Sequence, residues 1–338
     1  MKHLFQAGFE DNVESLSHFG ATYSKQLKAY LIESNLGLSA IHCPKEYGHW
    51  KKLDADHWHM NEGGHSPGSF FLDSTRKRVW ILYSLLDASE SDAVVSKWIE
   101  SINGLDRCWL SRNQLMHFGS VESWKEKGIG LKFYDGLTPE ENAGNFSLKA
   151  WYGATSQIEG LGDVLRVAKE KFAIYSTRWQ KICGGSVTIS AEWYSTGKVT
   201  INKAMDVDDV MLSISDMANR YEDAILEATK IRDHTMGAFE LDFTQNIDLN
   251  AFAQAVSMGK STMNLWLVET ESEPDFKRFR GVDLHTWDRV FMDVGPNYAY
   301  LTVPGKGCVN AAPRIATVQG EDNAGKTSIF FDGVEMFG

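Results

Sequence analysis

Cysteine is scarce in this sequence, with four residues at positions 43, 108, 183 and 308 of a 338-residue chain. No two of them form a CxxC pair, and their wide spacing argues against a dense disulfide framework. We therefore expect four free thiols in a reducing compartment, which favours the cytoplasm.

Long hydrophobic runs are missing as well. No window approaches the roughly 18 uninterrupted apolar residues that a membrane-spanning helix needs. The N-terminal segment reaches the charged Glu10 without developing the apolar stretch of a signal peptide. The sequence thus predicts a soluble cytoplasmic protein that has no membrane partner.

Positive charge is in deficit, because 34 Lys and Arg stand against 45 Asp and Glu, a formal net charge of −11. A protein that coats nucleic acid needs a positive face, so this balance argues against a general nucleic-acid coat, whereas it suits a basic partner protein. The HExxH and strand-linked GxGxxG strings are also absent. Their absence removes the commonest metalloprotease and dinucleotide-binding signals.

Apolar side chains are plentiful, by contrast: 43% of the chain is hydrophobic, and it has eleven Trp. This is enough to bury a core, and Trp is a residue for which cores and binding faces compete. Hairpin patterns mixed with helices predict an α+β fold with mixed, largely antiparallel sheets and packed helices. We expect two domains, residues 1–140 and 146–338, separated by the turn-rich segment from Gly136 to Asn145.

The clearest single element is a helix over residues 207–233, in which apolar residues recur every three or four positions. Helical spacing also predicts a helix over 11–33. The polar segment 42–70 contains five of the ten His and is interpreted as a long irregular loop. The C-terminal part is predicted to be β-rich, with hairpins over 290–303 and 315–331.

Residues Arg112 to His117 read Arg-Asn-Gln-Leu-Met-His and match the pattern RNxxxH. The pattern resembles the short signature of HEPN-type ribonucleases, which are helical bundles. The resemblance implies that His117 transfers protons and that Arg112 stabilises charge on an RNA phosphodiester during cleavage. An ordinary surface Arg and His at the end of a helix or strand is the alternative interpretation.

Two groups of residues are candidate metal ligands. His57, His59 and His65 lie within the predicted loop, and imidazole suits zinc, although a His-containing polar loop is the simpler interpretation. Glu240 and Asp242 alternate with apolar residues on a predicted strand, so both carboxylates face one way. Such a pair can hold Mg²⁺ for phosphodiester hydrolysis, and a solvated strand face has the same pattern. Otherwise no cofactor is expected.

Two further strings concern phosphate recognition. The first is the basic cluster of Lys277, Arg278, Phe279 and Arg280. It interleaves an aromatic ring with cations, which suits stacking on single-stranded nucleic acid, although such clusters also balance neighbouring carboxylates. The second, over residues 320–327, matches the phosphate-loop pattern GxxxxGK[ST]. A strand pattern follows it where a helix is needed, so a hairpin turn is the preferred interpretation.

The preferred functional hypothesis is a non-catalytic protein that binds another protein or assembles a complex, as a toxin-neutralising or defence-system subunit would. The alternative is a HEPN-like or metal-dependent nuclease that acts on RNA or DNA, with zinc or magnesium as its cofactor. The two hypotheses make different structural demands. An enzyme needs a concave site where its polar groups converge, whereas a binding protein needs a large exposed apolar patch.

Overall fold

A computed structural model describes residues 26–36, 49–61, 70–134, 145–152, 160–235, 237–257, 263–322 and 326–337. Across these residues the chain forms six α-helices and two largely antiparallel sheets of eleven and seven strands. The α+β fold class predicted from the sequence is therefore confirmed. No helix in this part of the chain is long and apolar enough to cross a membrane.

The elements are numbered in chain order. The first nine strands are β1 (Lys28–Ser34), β2 (His49–Lys52), β3 (His57–Asn61), β4 (Phe70–Asp73), β5 (Val79–Ser84), β6 (Leu105–Arg107), β7 (Trp124–Tyr134), β8 (Asn145–Trp151) and β9 (Ala173–Cys183). The others are β10 (Ser186–Tyr194), β11 (Lys198–Ala204), β12 (Phe239–Phe243), β13 (Leu265–Glu273), β14 (Phe276–Asp283), β15 (Arg289–Val294), β16 (Tyr298–Thr302), β17 (Thr327–Phe331) and β18 (Val334–Met336). The helices are α1 (Ala88–Ser101), α2 (Arg112–Met116), α3 (Leu161–Lys171), α4 (Val207–Thr235), α5 (Leu249–Ser257) and α6 (Ala311–Asp322).

Two compact units divide the chain, and each is assembled from separate stretches. The first unit takes Met1–Cys108, Phe118–Glu126 and Arg178–Glu222. The second takes Trp109–His117, Lys127–Thr177 and Asp223–Gly338. The domain boundary predicted between residues 140 and 146 stays a prediction, because residues 135–144 lie outside the described part of the chain.

The first unit has a sheet with the strand order β2-β3-β4-β5-β1-β11-β10, and β6 pairs with β1 as well. Strand β1 is buried along its whole length, because β5 pairs with one edge while β11 and β6 share the other. Trp80 lies opposite Ile32 on the neighbouring strands, and α1 adds Val95 and Trp98 to the same core. Helix α1 forms because its buried residues recur at three- and four-residue spacing.

Tryptophan serves the core more than the surface. Trp80, Trp98, Trp179 and Trp193 are among the largest fully buried side chains. In the first unit the ring of Phe118 lies 5.1 Å from that of Trp193, with the two planes tilted. From the sequence, the high Trp count could reflect either the core or a binding face. Packing in the core accounts for most of it.

The second unit has a seven-stranded sheet with the order β13-β14-β15-β16-β12-β17-β18. Helix α5 packs against β13, and α6 packs against β12 and β17. The ring of Phe252 on α5 meets Phe279 on β14 edge to face, with centroids 5.8 Å apart. Strands β7 and β8, which belong to the eleven-stranded sheet, pair with each other as an antiparallel ladder. The seven-stranded sheet thus has one face that is covered by helices.

Three secondary-structure predictions are wrong. The helix expected over 11–33 gives way to β1, where burial on both faces removes the strand alternation that the pattern search needs; residues 11–25 lie outside the described residues. The loop expected over 42–70 contains β2 and β3 in its described part, since polar and apolar residues alternate from His57 to Met60. The strand expected over 315–318 belongs to α6, because a short apolar run does not distinguish strand from helix. The long helix predicted over 207–233 is present as α4.

Candidate binding face of the second sheet

Alternation along β12 to β16 gives the second sheet a buried inner face and an outer face. On β14, Phe279 is fully buried, whereas its neighbours Arg278 and Arg280 point to the opposite side. The same alternation runs through the flanking strands. The outer face consists of Trp266, Val268, Arg278, Arg280, Val282, Arg289, Phe291, Asp293, Tyr300, Glu240 and Asp242.

One half of the outer face combines apolar and cationic side chains and is called the aromatic–arginine patch. Strand register arranges its members in two neighbouring rows across β13, β14 and β15. The rows are Trp266–Val282–Arg289 and Val268–Arg280–Phe291. Each arginine therefore lies beside apolar side chains on the adjoining strand, within the reach of cross-strand neighbours.

The apolar members of this patch are unusually open to solvent. Trp266 is 52% exposed and Val268 is 55% exposed, and Phe291 is 36% exposed. Scattered apolar residues are normal on protein surfaces, but a contiguous set on one sheet face marks an interaction site. The outer face thus carries several exposed apolar side chains on neighbouring strands.

Arg280 and Arg289 carry the unmatched charge of the patch. Both side chains are exposed, and in the described part of the chain neither forms a hydrogen bond or an ion pair. A guanidinium group presents five donors in a planar fork that matches carboxylates and phosphates. The two arginines are consequently available to an anionic group from outside.

Arg278 is in the opposite situation, because two carboxylates already bind it. Its Nε and Nη2 donate to the two oxygens of Asp293 at 2.8 and 3.0 Å, and its Nη1 donates to Glu271 at 2.7 Å. The hydrogen bond to Asp293 and that group's charge hold the pKa of Arg278 above its ordinary value. The Arg278 charge is matched within the sheet and is not free for a ligand.

The sequence-predicted magnesium pair lies on the same outer face. Glu240 and Asp242 point away from the core on β12, opposite Tyr300 and Tyr298 of β16. The Tyr300 hydroxyl donates to Glu240 at 3.2 Å, and the Glu240 charge raises the pKa of Tyr300. Magnesium binding by these carboxylates stays a prediction, and their position gives this half of the face a negative character.

The basic cluster predicted to contact nucleic acid is split by strand alternation. Lys277 and Phe279 turn to the buried side, and the Lys277 ammonium group is bound by Glu269 at 2.9 Å and Ser272 at 2.8 Å. The hydrogen bond from Lys277 lowers the pKa of Glu269. Arg278 is held by carboxylates, so Arg280 alone of the four remains open to a partner. Nucleic-acid contact by the cluster stays a prediction.

A second exposed Trp lies in the turn between β14 and β15. Trp287 is 57% exposed and adopts a left-handed backbone conformation with φ near 61°. That region disfavours any side chain with a Cβ, and its backbone N–H is held by the Asp283 carbonyl at 2.7 Å. The turn therefore presents a large apolar ring to solvent at a cost in backbone strain.

A buried ion pair anchors this turn to α6. The Arg314 guanidinium donates to Asp283 at 2.6 Å and to the Met263 carbonyl at 2.7 Å, and both charged side chains are 1% exposed. Asp283 also accepts the His285 backbone N–H at 3.0 Å. The position of the Trp287 turn, and of the strands that flank it, thus depends on Arg314.

The HEPN-like string lies in the second unit, where Arg112 to Met116 form one short helix and His117 begins a 3-10 turn. Ser111 caps α2 through a reciprocal pair of hydrogen bonds with Gln114. Burial lowers the pKa of Arg112. Arg112 lines a pocket whose lining does not include His117, and the surroundings are a sheet fold, not the helical bundle that the resemblance implies. The nuclease role of Arg112 and His117 stays a prediction.

The proposed zinc ligands are only partly within the described residues. His57 and His59 both lie on β3, two positions apart, so their side chains are on the same face of the strand. The His57 ring is hydrogen-bonded to Asp54 at 2.8 Å, and the His59 ring stacks on Phe71 at 4.7 Å. His65 lies outside the described residues, and zinc binding stays a prediction.

Several members of the binding face escaped the sequence analysis. Trp266 lies on β13, and Arg289 and Phe291 stand at alternate positions on β15. Their grouping on one face depends on the register of the β13–β14 and β14–β15 pairs, which no local pattern in the sequence gives. Trp287 sits in a turn, where no periodic signal exists.

Comparisons with known proteins place the chain in a family. The family described as MJECL33-like protein matches residues 2–319. A curated relative of that description, the protein named "Uncharacterized protein MJECL33" from Methanocaldococcus jannaschii, is 23% identical over 342 aligned positions, which cover 86% of this chain and 82% of the relative. No solved structure matches the chain. The chain belongs to the MJECL33-like protein family.

Proposed function

We propose that this protein is a non-catalytic binding protein whose aromatic–arginine patch docks another protein. The observation that carries the proposal is the combination of exposed Trp266, Val268 and Phe291 with two arginines that have no partner in the described residues. Trp, Tyr and Arg dominate the energetics of protein interfaces. Complex assembly is therefore the function that this face suits best.

The partner surface is expected to carry acidic side chains around an apolar centre. Arg280 and Arg289 favour carboxylates by charge complementarity, and the apolar side chains between them favour a matching apolar group. Although the whole chain is acidic, with a net charge of −11, this patch is locally cationic. Because the patch is cationic and the chain as a whole is acidic, an acidic partner is expected to bind at this face.

A protein partner is favoured over single-stranded nucleic acid by the rest of the outer face. Aromatic rings and arginines do suit base stacking. However, Glu240 and Asp242 lie on β12 of the same outer face, separated from β15 by β16, and would repel a phosphate backbone that crosses the sheet. Arg278 adds no free positive charge, because Asp293 and Glu271 bind it.

The nuclease alternative has weaker support. It requires Arg112 and His117 to act on one phosphodiester, and only Arg112 lines the pocket in this region. The binding proposal also places both partners in the cytoplasm, consistent with Cys108, Cys183 and Cys308, none of which forms a disulfide in the described part of the chain.

The test compares affinity capture by the wild-type chain and by the double variant Arg280→Glu/Arg289→Glu from a lysate of the source organism, with and without nuclease. Both positions are exposed, so the variant is expected to fold normally. A matched control reverses Arg166, an exposed arginine on α3 outside the patch. Captured proteins are identified by mass spectrometry and their affinity is then measured with purified components.

The proposal expects a stoichiometric protein that binds wild type and the Arg166→Glu control equally and binds the double variant at least about 100-fold more weakly, since two charge-assisted contacts become repulsive. Equal binding by the double variant would place the interface elsewhere. Recovery of nucleic acid through the patch, lost on nuclease treatment, would replace a protein partner with a nucleic-acid one.

A further inference from the structure

A pocket in the second unit brings together two sequence motifs that the binding face does not use. Arg112, from the RNxxxH string, lines it together with Gly320, Lys326 and Thr327 from the GxxxxGK[ST] string. The two strings are about 200 residues apart in the sequence, and the fold places them on one cavity. Two groups whose residue types both suit phosphate thus converge.

The pocket is not a nucleotide-binding phosphate loop. In such a loop a strand precedes the glycine-rich segment and a helix follows it. In this chain α6 precedes Lys326 and β17 begins at Thr327, so the order of elements is reversed. Any binding of phosphate in this pocket would therefore depend on the side chains, because the backbone cradle and the helix of a nucleotide-binding domain are not formed here.

Two cations that line the pocket form no direct ion pair within the described residues, and the charge of Glu170 acts on Arg112 from a longer range. In the described ranges, the side chains of Arg112 and Lys326 form no hydrogen bond or ion pair, and both are half-buried. Lys326 is fixed instead through its backbone N–H, which donates to Thr244 at 2.8 Å. A half-buried cation that has lost part of its hydration gains when an anion replaces the missing water.

Two carboxylates also line the pocket, and each has a donor of its own. Lys132 binds Glu321 at 2.8 Å, and the Asn113 side-chain amide donates to Glu335 at 3.3 Å. The lining itself carries two positive and two negative charges. Both carboxylates have donors of their own, so Arg112 and Lys326 are the groups to which an anion would bind.

The size of the cavity restricts the anion. Its volume is about 60 Å³, which holds a few water-sized groups. Pockets for whole drug-sized ligands are roughly 300–1,000 Å³. A tetrahedral phosphate group fits, and the hydroxyls of Thr327 and Ser328 on the wall add donors for its remaining oxygens. The body of a larger ligand would lie outside the cavity.

We propose that this pocket is a non-catalytic binding site for the phosphate group of a small phosphorylated compound, held by Arg112 and Lys326. Inorganic phosphate is the minimal ligand. The site is separate from the aromatic–arginine patch, so either function can fail while the other stands.

The experiment is isothermal titration calorimetry of the full chain with inorganic phosphate, at an ionic strength held constant with sodium chloride. Wild type is expected to bind with a Kd of about 1 mM or tighter. Arg112→Met and Lys326→Met should each weaken binding by about tenfold or more, because each removes charge-assisted hydrogen bonds. The control Lys306→Met removes an exposed cation of the same unit that does not line the pocket, and should keep the wild-type Kd.

Circular dichroism checks that each variant is folded. Should Arg112→Met prove unstable, Lys326→Met decides alone, since the Lys326 side chain forms no hydrogen bond or ion pair in the described residues and Met keeps its apolar stem. Absence of binding by wild type up to about 10 mM phosphate, well above the expected Kd, would overturn the proposal. So would an unchanged Kd in both pocket variants.

Discussion

Phe279 and Phe291 lie on neighbouring strands of the second sheet, and their surroundings are opposite. Phe279 is fully buried against Phe252 of α5, whereas Phe291 is 36% exposed beside Arg280. Burial of such a side chain contributes about 1.5–3 kcal/mol, and the inner face has already gained this free energy through folding. On the outer face this free energy is gained only when a partner covers the side chain. The two faces should therefore respond to mutation in different ways.

The largest effect is expected from the buried anchor behind the sheet. Arg314→Met leaves Asp283 as an uncompensated buried charge, and should lower the free energy of unfolding by about 3–5 kcal/mol. Urea denaturation measures it, with Arg289→Met on the outer face as the matched control, expected to change stability by less than about 0.5 kcal/mol. A loss below about 1 kcal/mol for Arg314→Met would show that the turn is held by other contacts.

A matched pair of truncations tests the comparison of the two faces directly. Phe279→Ala should destabilise the protein by about 3–5 kcal/mol, because it opens a cavity under α5. Phe291→Ala should cost less than about 1 kcal/mol of stability but weaken partner binding by tenfold or more. Equal losses of stability in the two variants would contradict the division into a structural and a binding face.

Gly281 affects both the stability of the sheet and the geometry of the patch, because the absence of a Cβ at this position allows β13 and β14 to approach closely. A Cβ at this residue would meet the backbone of Trp266 and Leu267 on β13. Gly281→Ala should therefore cost about 1–3 kcal/mol and shift Trp266 relative to Arg280, which weakens partner binding as well. Thermal unfolding and binding assays check both effects. An unchanged melting temperature together with an unchanged affinity for the partner would mean that the patch tolerates displacement of β13.

Trp287→Gly should give the smallest change in stability, and in the unusual direction. Glycine adopts the left-handed conformation without strain, so the variant should be as stable as wild type or about 1 kcal/mol more stable. Partner binding should nevertheless fall, because an exposed ring is lost from the edge of the patch. A clear loss of stability would show that Trp287 supports the fold, which its 57% exposure argues against.

Much of the second sheet was predictable from the sequence, and its binding face was not. Alternation assigned Glu240 and Asp242 to the side away from the core, and the strand pattern indicated the hairpin of β15 and β16. Which helices cover the inner face, and which strands they contact, depends on where α5 and α6 pack, and no local pattern encodes that. Arg280 was recognised as part of a basic cluster, but its separation from Lys277 required the strand to be known.

The failures in the first half have a related cause. Strand β1 is buried on both faces, so its apolar residues give no period-two signal. The grouping of Arg112 with Lys326 joins segments distant in the sequence, and only the three-dimensional fold brings them to one pocket. Short motifs therefore located interesting residues, while the structure decided which of them act together.

Side-chain footprinting of the purified complex tests the central claim most directly. Hydroxyl radicals oxidise exposed Trp residues, and three are suitable probes in this chain: Trp266 and Trp287 at the patch and its edge, and Trp151 on β8, which is 45% exposed and serves as the internal control. The account predicts that the partner protects Trp266 and Trp287 while Trp151 reacts as in the free protein. Trp266 that reacts equally in the free and bound states would contradict it.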